Sequence, residues 1–160
     1  MRRSLWLALP LGIAASVAVA GTSFATHAPG GTTPVVLARG TLAEKAKVNV
    51  GGVKIQTKGP VDVVMTQVTF AKGGGSAGWH VHPGPGFVVI KSGKVSVWNE
   101  HCEKTVYGPG ETFFEKGPGS SNLVKNEDPA TDAVTLGTFF VPVGATPLTI
   151  TTAHRCGIEG

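Results

Sequence analysis

The chain has 160 residues, of which 15% are charged, with 23 glycines, 11 prolines and a formal net charge of +4. That length suits one domain with a core of its own, and the composition is turn-rich and globular, not disordered. No dense Lys/Arg patch with interleaved aromatics occurs, so the sequence gives no basis for a nucleic-acid partner.

Residues 1–20 read as a signal peptide. Arg2 and Arg3 form a positive start, Leu5 to Val19 is apolar, and Ala18-Val19-Ala20 is a small-x-small cleavage site before Gly21. The alternative is an uncleaved anchor, but the apolar run is short for a span of about 20 residues. Cleavage would remove two arginines and leave a side-chain charge of +2 from the +4 of the whole chain. The mature protein is expected to be secreted or held in the cell envelope without spanning the membrane. Residues 21–33, small and polar, read as a flexible linker, and residues 34–160 as the folded domain.

From Pro34 onward the pattern is strands and turns. Val35 to Leu42 starts the series, and Val48 to Val50 and Val53 to Ile55 flank Gly51-Gly52. Val61 to Phe70 alternates, with Val64, Thr66, Val68 and Phe70 on one face. A glycine-rich loop from Ala71 to Gly78 leads into Trp79-His80-Val81-His82. Phe87 to Ile90 is apolar, Ser92-Gly93 reads as a two-residue hairpin turn, and Val95 to Trp98 as its return strand. Short strands follow at Thr105 to Tyr107, Glu111 to Glu115 and Asn122 to Lys125. A long one covers Ala133 to Val143 and a last one Leu148 to Thr152. About ten short strands with no helical period predict an all-β sandwich or barrel.

Cys102 and Cys156 are the only cysteines. In an exported chain one disulfide is the economical reading, tying the C-terminal tail to the middle of the sheet; two free thiols are the alternative.

His80 and His82, two residues apart on a strand, leave from the same face. That spacing can present two imidazoles to one metal ion or ligand. Trp79 should face the other way and serve packing. The surrounding pattern is Gly74-x5-His80-x-His82-x3-Gly86-x6-Gly93, and further on Gly119-x2-Asn122-x3-Asn126. With these two stretches the chain resembles the cupin family over roughly residues 53–143. The first family motif is G-x5-H-x-H-x3–4-E-x6-G and the second G-x5-P-x-G-x2-H-x3-N. Every spacing of the first agrees, with Gly86 in the Glu slot. Only the end of the second agrees, with Asn122 in its His slot.

The resemblance implies a double-stranded β-helix, the jelly-roll barrel, as a single cupin domain over residues 34–160. It also implies a site at the barrel mouth for one divalent metal, ordinarily held by three His and one Glu. Only His80 and His82 carry over. A carboxylate would have to come from elsewhere, and Glu115, on the strand entering the second motif, is the best candidate; alternation leaves its direction open. Asn122, Phe87 and Phe113 are expected to line a ligand pocket, and Phe87, Val89, Phe113 and Phe140 to supply core. The sequence therefore supports an exported cupin that binds a small molecule, a divalent metal, or both. The alternative is a metal-dependent enzyme of the oxygenase or isomerase type completed by Glu115. The apolar strands Phe87–Ile90 and Val134–Val141 offer a face for a homodimer.

Overall fold

A computed structural model describes residues 30–153 and 155–159. The proposed signal peptide and most of the linker lie outside the described residues, as does His154. Among the described residues there are twelve strands and no helix: β1 (Thr32–Leu42), β2 (Lys47–Val50), β3 (Val53–Gln56), β4 (Val61–Phe70), β5 (Ser76–Val81), β6 (Gly86–Ser92), β7 (Val95–Trp98), β8 (Lys104–Tyr107), β9 (Thr112–Glu115), β10 (Asn122–Lys125), β11 (Ala133–Val141) and β12 (Ile150–Thr151). The first strand takes in Thr32 and Thr33, so order begins before the expected boundary at residue 34.

The strands form two five-stranded sheets, ordered β1-β4-β11-β6-β9 and β12-β5-β10-β7-β8, with β2-β3 as a separate hairpin. The pairings are antiparallel throughout. Alternation sets which side chains lie between the two large sheets. Val64 and Phe70 on β4, Val88 and Ile90 on β6, Phe113 on β9, Val124 on β10 and Phe139 and Val141 on β11 are buried in one cluster. Thr66 and Val68 share the inward face of β4 with them.

The predicted hairpin at Ser92-Gly93 is not one. Ser92 belongs to β6, and β6 and β7 lie in different sheets, so the turn hands the chain from one sheet to the other. Gly93 makes that crossing against the start of β11. Its φ is +70°, and a Cβ there would lie 2.5 Å from the Asp132 carbonyl oxygen and 2.7 Å from Ala133 Cα. The close approach and the left-handed backbone together require glycine.

The other side of the second sheet has its own cover. Trp79, Trp98 and Leu123 are buried there and Ile158 packs on them. The Trp79 indole N–H donates to the Ile158 carbonyl at 3.0 Å. Trp79 thus faces away from the histidines and packs, as alternation predicts. Cys102 and Cys156 form a disulfide, which fastens the tail to the turn between β7 and β8, not to the middle of the sheet. Closing a loop of 54 residues is worth about 4 kcal/mol in the chain-entropy account.

Candidate metal centre

His80 lies on β5 and His82 just beyond its end, and both rings turn inward and are buried. His80 Nδ1 lies 2.8 Å from the Gly78 carbonyl oxygen, and His82 Nδ1 lies 2.7 Å from that of Leu148. A carbonyl can only accept, so each Nδ1 carries the hydrogen and donates. Both rings are therefore held with Nε2 pointing into the barrel. Glu115 meets them there from the opposite sheet. Its carboxylate oxygens lie 3.5 Å from His80 Nε2 and 2.9 Å from His82 Nε2.

The register explains how Glu115 arrives. Phe139 on β11 pairs with Gly86 on β6, and Gly86 pairs with Glu115 on β9. The three form one inward-facing row. The Phe139 ring lies over Gly86 so closely that a Cβ there would sit 2.2 Å from Cδ1 of the ring. The slot that holds Glu in the motif has no room for a side chain, and the carboxylate comes from the next strand instead. Glu115 thereby supplies the carboxylate that neither Gly86 nor Asn122 can supply from the motif slots.

Burial pushes the Glu115 carboxyl upward, but the hydrogen bonds and charges of His80 and His82 outweigh it and hold it at about 2. Burial likewise opposes charging His80. The bond to Glu115, its charge and the Gly78 carbonyl more than offset this and raise the ring above its ordinary value. The His80 ring and the Glu115 carboxylate thus favour each other's charged forms.

Could the same atoms hold a metal? Ligand atoms from all three residues lie within 4.8 Å of one another. Ligands about 2.1 Å from one ion sit roughly 3 Å apart, close to the two His–Glu separations. Each imidazole has the backbone carbonyl partner that orients metal-bound histidines. The donor set fits one divalent ion, which these three residues would hold beside a cavity.

That cavity is about 360 Å³ and lies between the sheets. Val68, Phe70, Val88, Phe113, Phe139 and Leu148 supply much of its apolar wall, while the cluster stands at its polar end. Arg39 also borders it. This guanidinium donates to Asp62 at 3.1 Å and to the Ala145 carbonyl at 2.9 Å, which secures the loop after β11.

Of the expected pocket residues, Phe113 lines the cavity and Asn122 and Phe87 do not. Asn122 is buried across from His80 in the register and occupies its motif position without reaching the cavity. Phe87 points outward, 52% exposed, with its ring 5.0 Å from that of Phe114 on the neighbouring strand. Gly86, Val88 and Ile90 take the inward positions of β6, which leaves Phe87 and Val89 outside. Phe140 likewise yields the inward position to Phe139, which sequence reasoning missed. Two adjacent phenylalanines on a strand cannot share a face, and only the cross-strand register shows which one is inside. Asn126, the last residue of the second motif, is fully buried and organises its turn. Its side-chain nitrogen donates to the carbonyls of Phe70 and Thr131, at 3.2 Å and 2.8 Å.

With the architecture and the cluster in place, comparison with known proteins is direct. The family model described as "Cupin domain" matches residues 66–129. Residues 66–129 thus read as a cupin domain. The matched segment contains both histidines, Glu115 and Asn122. Among solved structures, the chain is similar to a cupin-like protein from Thermotoga maritima, with 16% identity and a TM-score of 0.51 over 78% of this chain and 77% of that one. It is also similar to the polyketide cyclase RemF from Streptomyces resistomycificus, with 15% identity and a TM-score of 0.50 over 78% and 72%. A structure of DMSP lyases gives 16% identity and a TM-score of 0.51 over 76% of this chain and 53% of that chain. The chain thus spans about half the length of the lyase chain. At these identities the likeness is one of fold. No curated protein sequence matches the chain.

Proposed function

We propose that this cupin is an exported metalloenzyme of the oxygenase or isomerase type. It holds one divalent transition metal on His80, His82 and Glu115 and acts on a small, largely apolar organic molecule in the cavity. The observation that carries the reading is Glu115, buried and placed against both Nε2 atoms. Two His and one carboxylate with open positions is the donor set of non-haem Fe(II) sites; the same residues could also hold catalytic zinc. A metal bound there would supply Lewis acidity. The chain's own part is to hold two neutral imidazoles in fixed tautomers, to supply one negative charge, and to surround the substrate with apolar wall. Export is supported by the disulfide, which persists in oxidising compartments, and by the leader-like first 20 residues.

Metal analysis of the purified protein after dialysis tests the reading. About one equivalent of a transition metal is expected in the wild type. Glu115→Gln and His80→Ala should each weaken retention at least about 100-fold, since even partners of metal ligands contribute 10–100-fold. Equal retention in Glu115→Gln would overturn the assignment of the third ligand. Loss of metal without loss of turnover on a candidate substrate would overturn the enzymatic reading.

A further inference from the structure

The β2–β3 hairpin takes no part in the barrel or the site. It forms a two-stranded sheet of its own, paired with no other strand. Its base is closed between Ala46 and Thr57, whose backbone N–H and side-chain oxygen both bond Ala46. The register places Val48 opposite Ile55 and Val50 opposite Val53. All four therefore share one face, and all are exposed, from 44% at Ile55 to 69% at Val50. The other face carries Lys47, Asn49, Lys54 and Gln56. Lys45 and Lys58 stand at the base, and Glu44 is the one carboxylate between residues 43 and 59. Gly51-Gly52 makes the tip, with no side chain to obstruct an approach.

A two-stranded hairpin in water is marginally stable by itself. This one adds a row of four branched aliphatic side chains with nothing over them, at a hydration cost in proportion to area. Something is expected to cover that face. We propose that the hairpin docks on an anionic lipid surface, with the valine and isoleucine face at the headgroup–acyl boundary and the lysines reaching the phosphates. The four-residue strands are about 13 Å long, enough to lie in that boundary and too short to span a bilayer. Lysine stems can bury their methylenes and still keep the ammonium among headgroups.

The composition favours lipid over other occupants. A second copy docked on the apolar face about a two-fold axis would cover the four aliphatic side chains but leave Lys47 and Lys54, on the opposite face, with no opposing charge. Protein interfaces are depleted in lysine and enriched in aromatic residues and arginine; residues 43–59 contain four lysines and none of the latter. An anionic bilayer supplies both the apolar layer and the opposing charge.

The test is co-sedimentation of the full chain, purified as its expression host exports it, with phosphatidylglycerol/phosphatidylcholine vesicles and with phosphatidylcholine alone. Every variant then carries the same N-terminal segment. Binding to the anionic vesicles is expected to weaken as salt is raised from 0.1 to about 0.5 M. Val50→Ser with Val53→Ser, or all four lysines changed to Gln, should lower the partition coefficient at least about tenfold. Both variants should keep the thermal midpoint and metal content of the wild type, because the hairpin lies outside the core. No binding to anionic vesicles, or binding indifferent to both variants, would overturn the proposal. So would a dimer in sedimentation velocity that the serine variant abolishes while vesicles leave the wild type unbound. Metal content reads out the His80/His82/Glu115 site separately, so the two proposals fail independently.

Discussion

Replacing Gly86 by alanine adds one methyl group at the centre of the site. The new Cβ would lie 2.2 Å from Phe139 Cδ1, against an ordinary contact of 3.4 Å or more, so ring or backbone must give by about 1.2 Å. The ring has little freedom to do so. On its other edge a Cβ at Gly137 would lie 2.5 Å from Cε2, and the His82 ring sits with its centroid 4.2 Å away. Overpacking of this kind costs about 1–3 kcal/mol. The confinement argues for the upper end, about 3 kcal/mol, which for a domain of this size lowers the melting temperature by about 10 °C. Calorimetry with and without metal measures it. Phe139→Ala should itself cost about 3–5 kcal/mol, and in that background Gly86→Ala should cost no more than about 0.5 kcal/mol, because the opposing ring is gone. Gly86→Glu, which restores the motif residue, should behave like Gly86→Ala or worse. The reasoning fails if Gly86→Ala melts within about 2 °C of the wild type, or costs the same in both backgrounds.

Cys102→Ser with Cys156→Ser, or reduction of the wild type, should lower stability by about 4 kcal/mol. It should also shift tryptophan emission to the red as Ile158 leaves Trp79; unchanged emission would mean the tail stays docked without the bond. Acid should destabilise the fold. The Gly144 N–H, with Thr41 and Arg39, holds the Asp62 carboxyl below its ordinary value, and the Lys116 ammonium holds Glu100 at about 2. The unfolded chain, with carboxyls near about 4, then binds more protons than the folded one. Stability from these groups is full above about pH 5 and declines as pH falls toward 2. Asp62→Asn should flatten that decline in urea midpoints measured between about pH 2.5 and 7; an equally steep decline would remove Asp62 from the account.

What could be read from the chain alone was local. Alternation along Val61–Phe70 and Ala133–Val141 marks strands because side chains on an extended backbone repeat every two residues. The same rule puts His80 and His82 on one face and Trp79 on the other. Two cysteines admit a single intramolecular pairing. The turn at Gly93 could be read as a turn, yet which sheet the chain entered next could not. Direction and partnership between distant strands belong to the tertiary structure. Glu115 had even odds of facing inward until β9 was placed beside β6 with Gly86 opposite. Phe87 looked like pocket until Val88 took the inward position, and Phe140 looked like core until Phe139 did. A one-residue change of register would reverse each of these assignments, and no spacing within a strand records it. The first motif told where two imidazoles stand; only the row Phe139–Gly86–Glu115 decided where the carboxylate beside them comes from, because a ring fills the place that a side chain at Gly86 would have used.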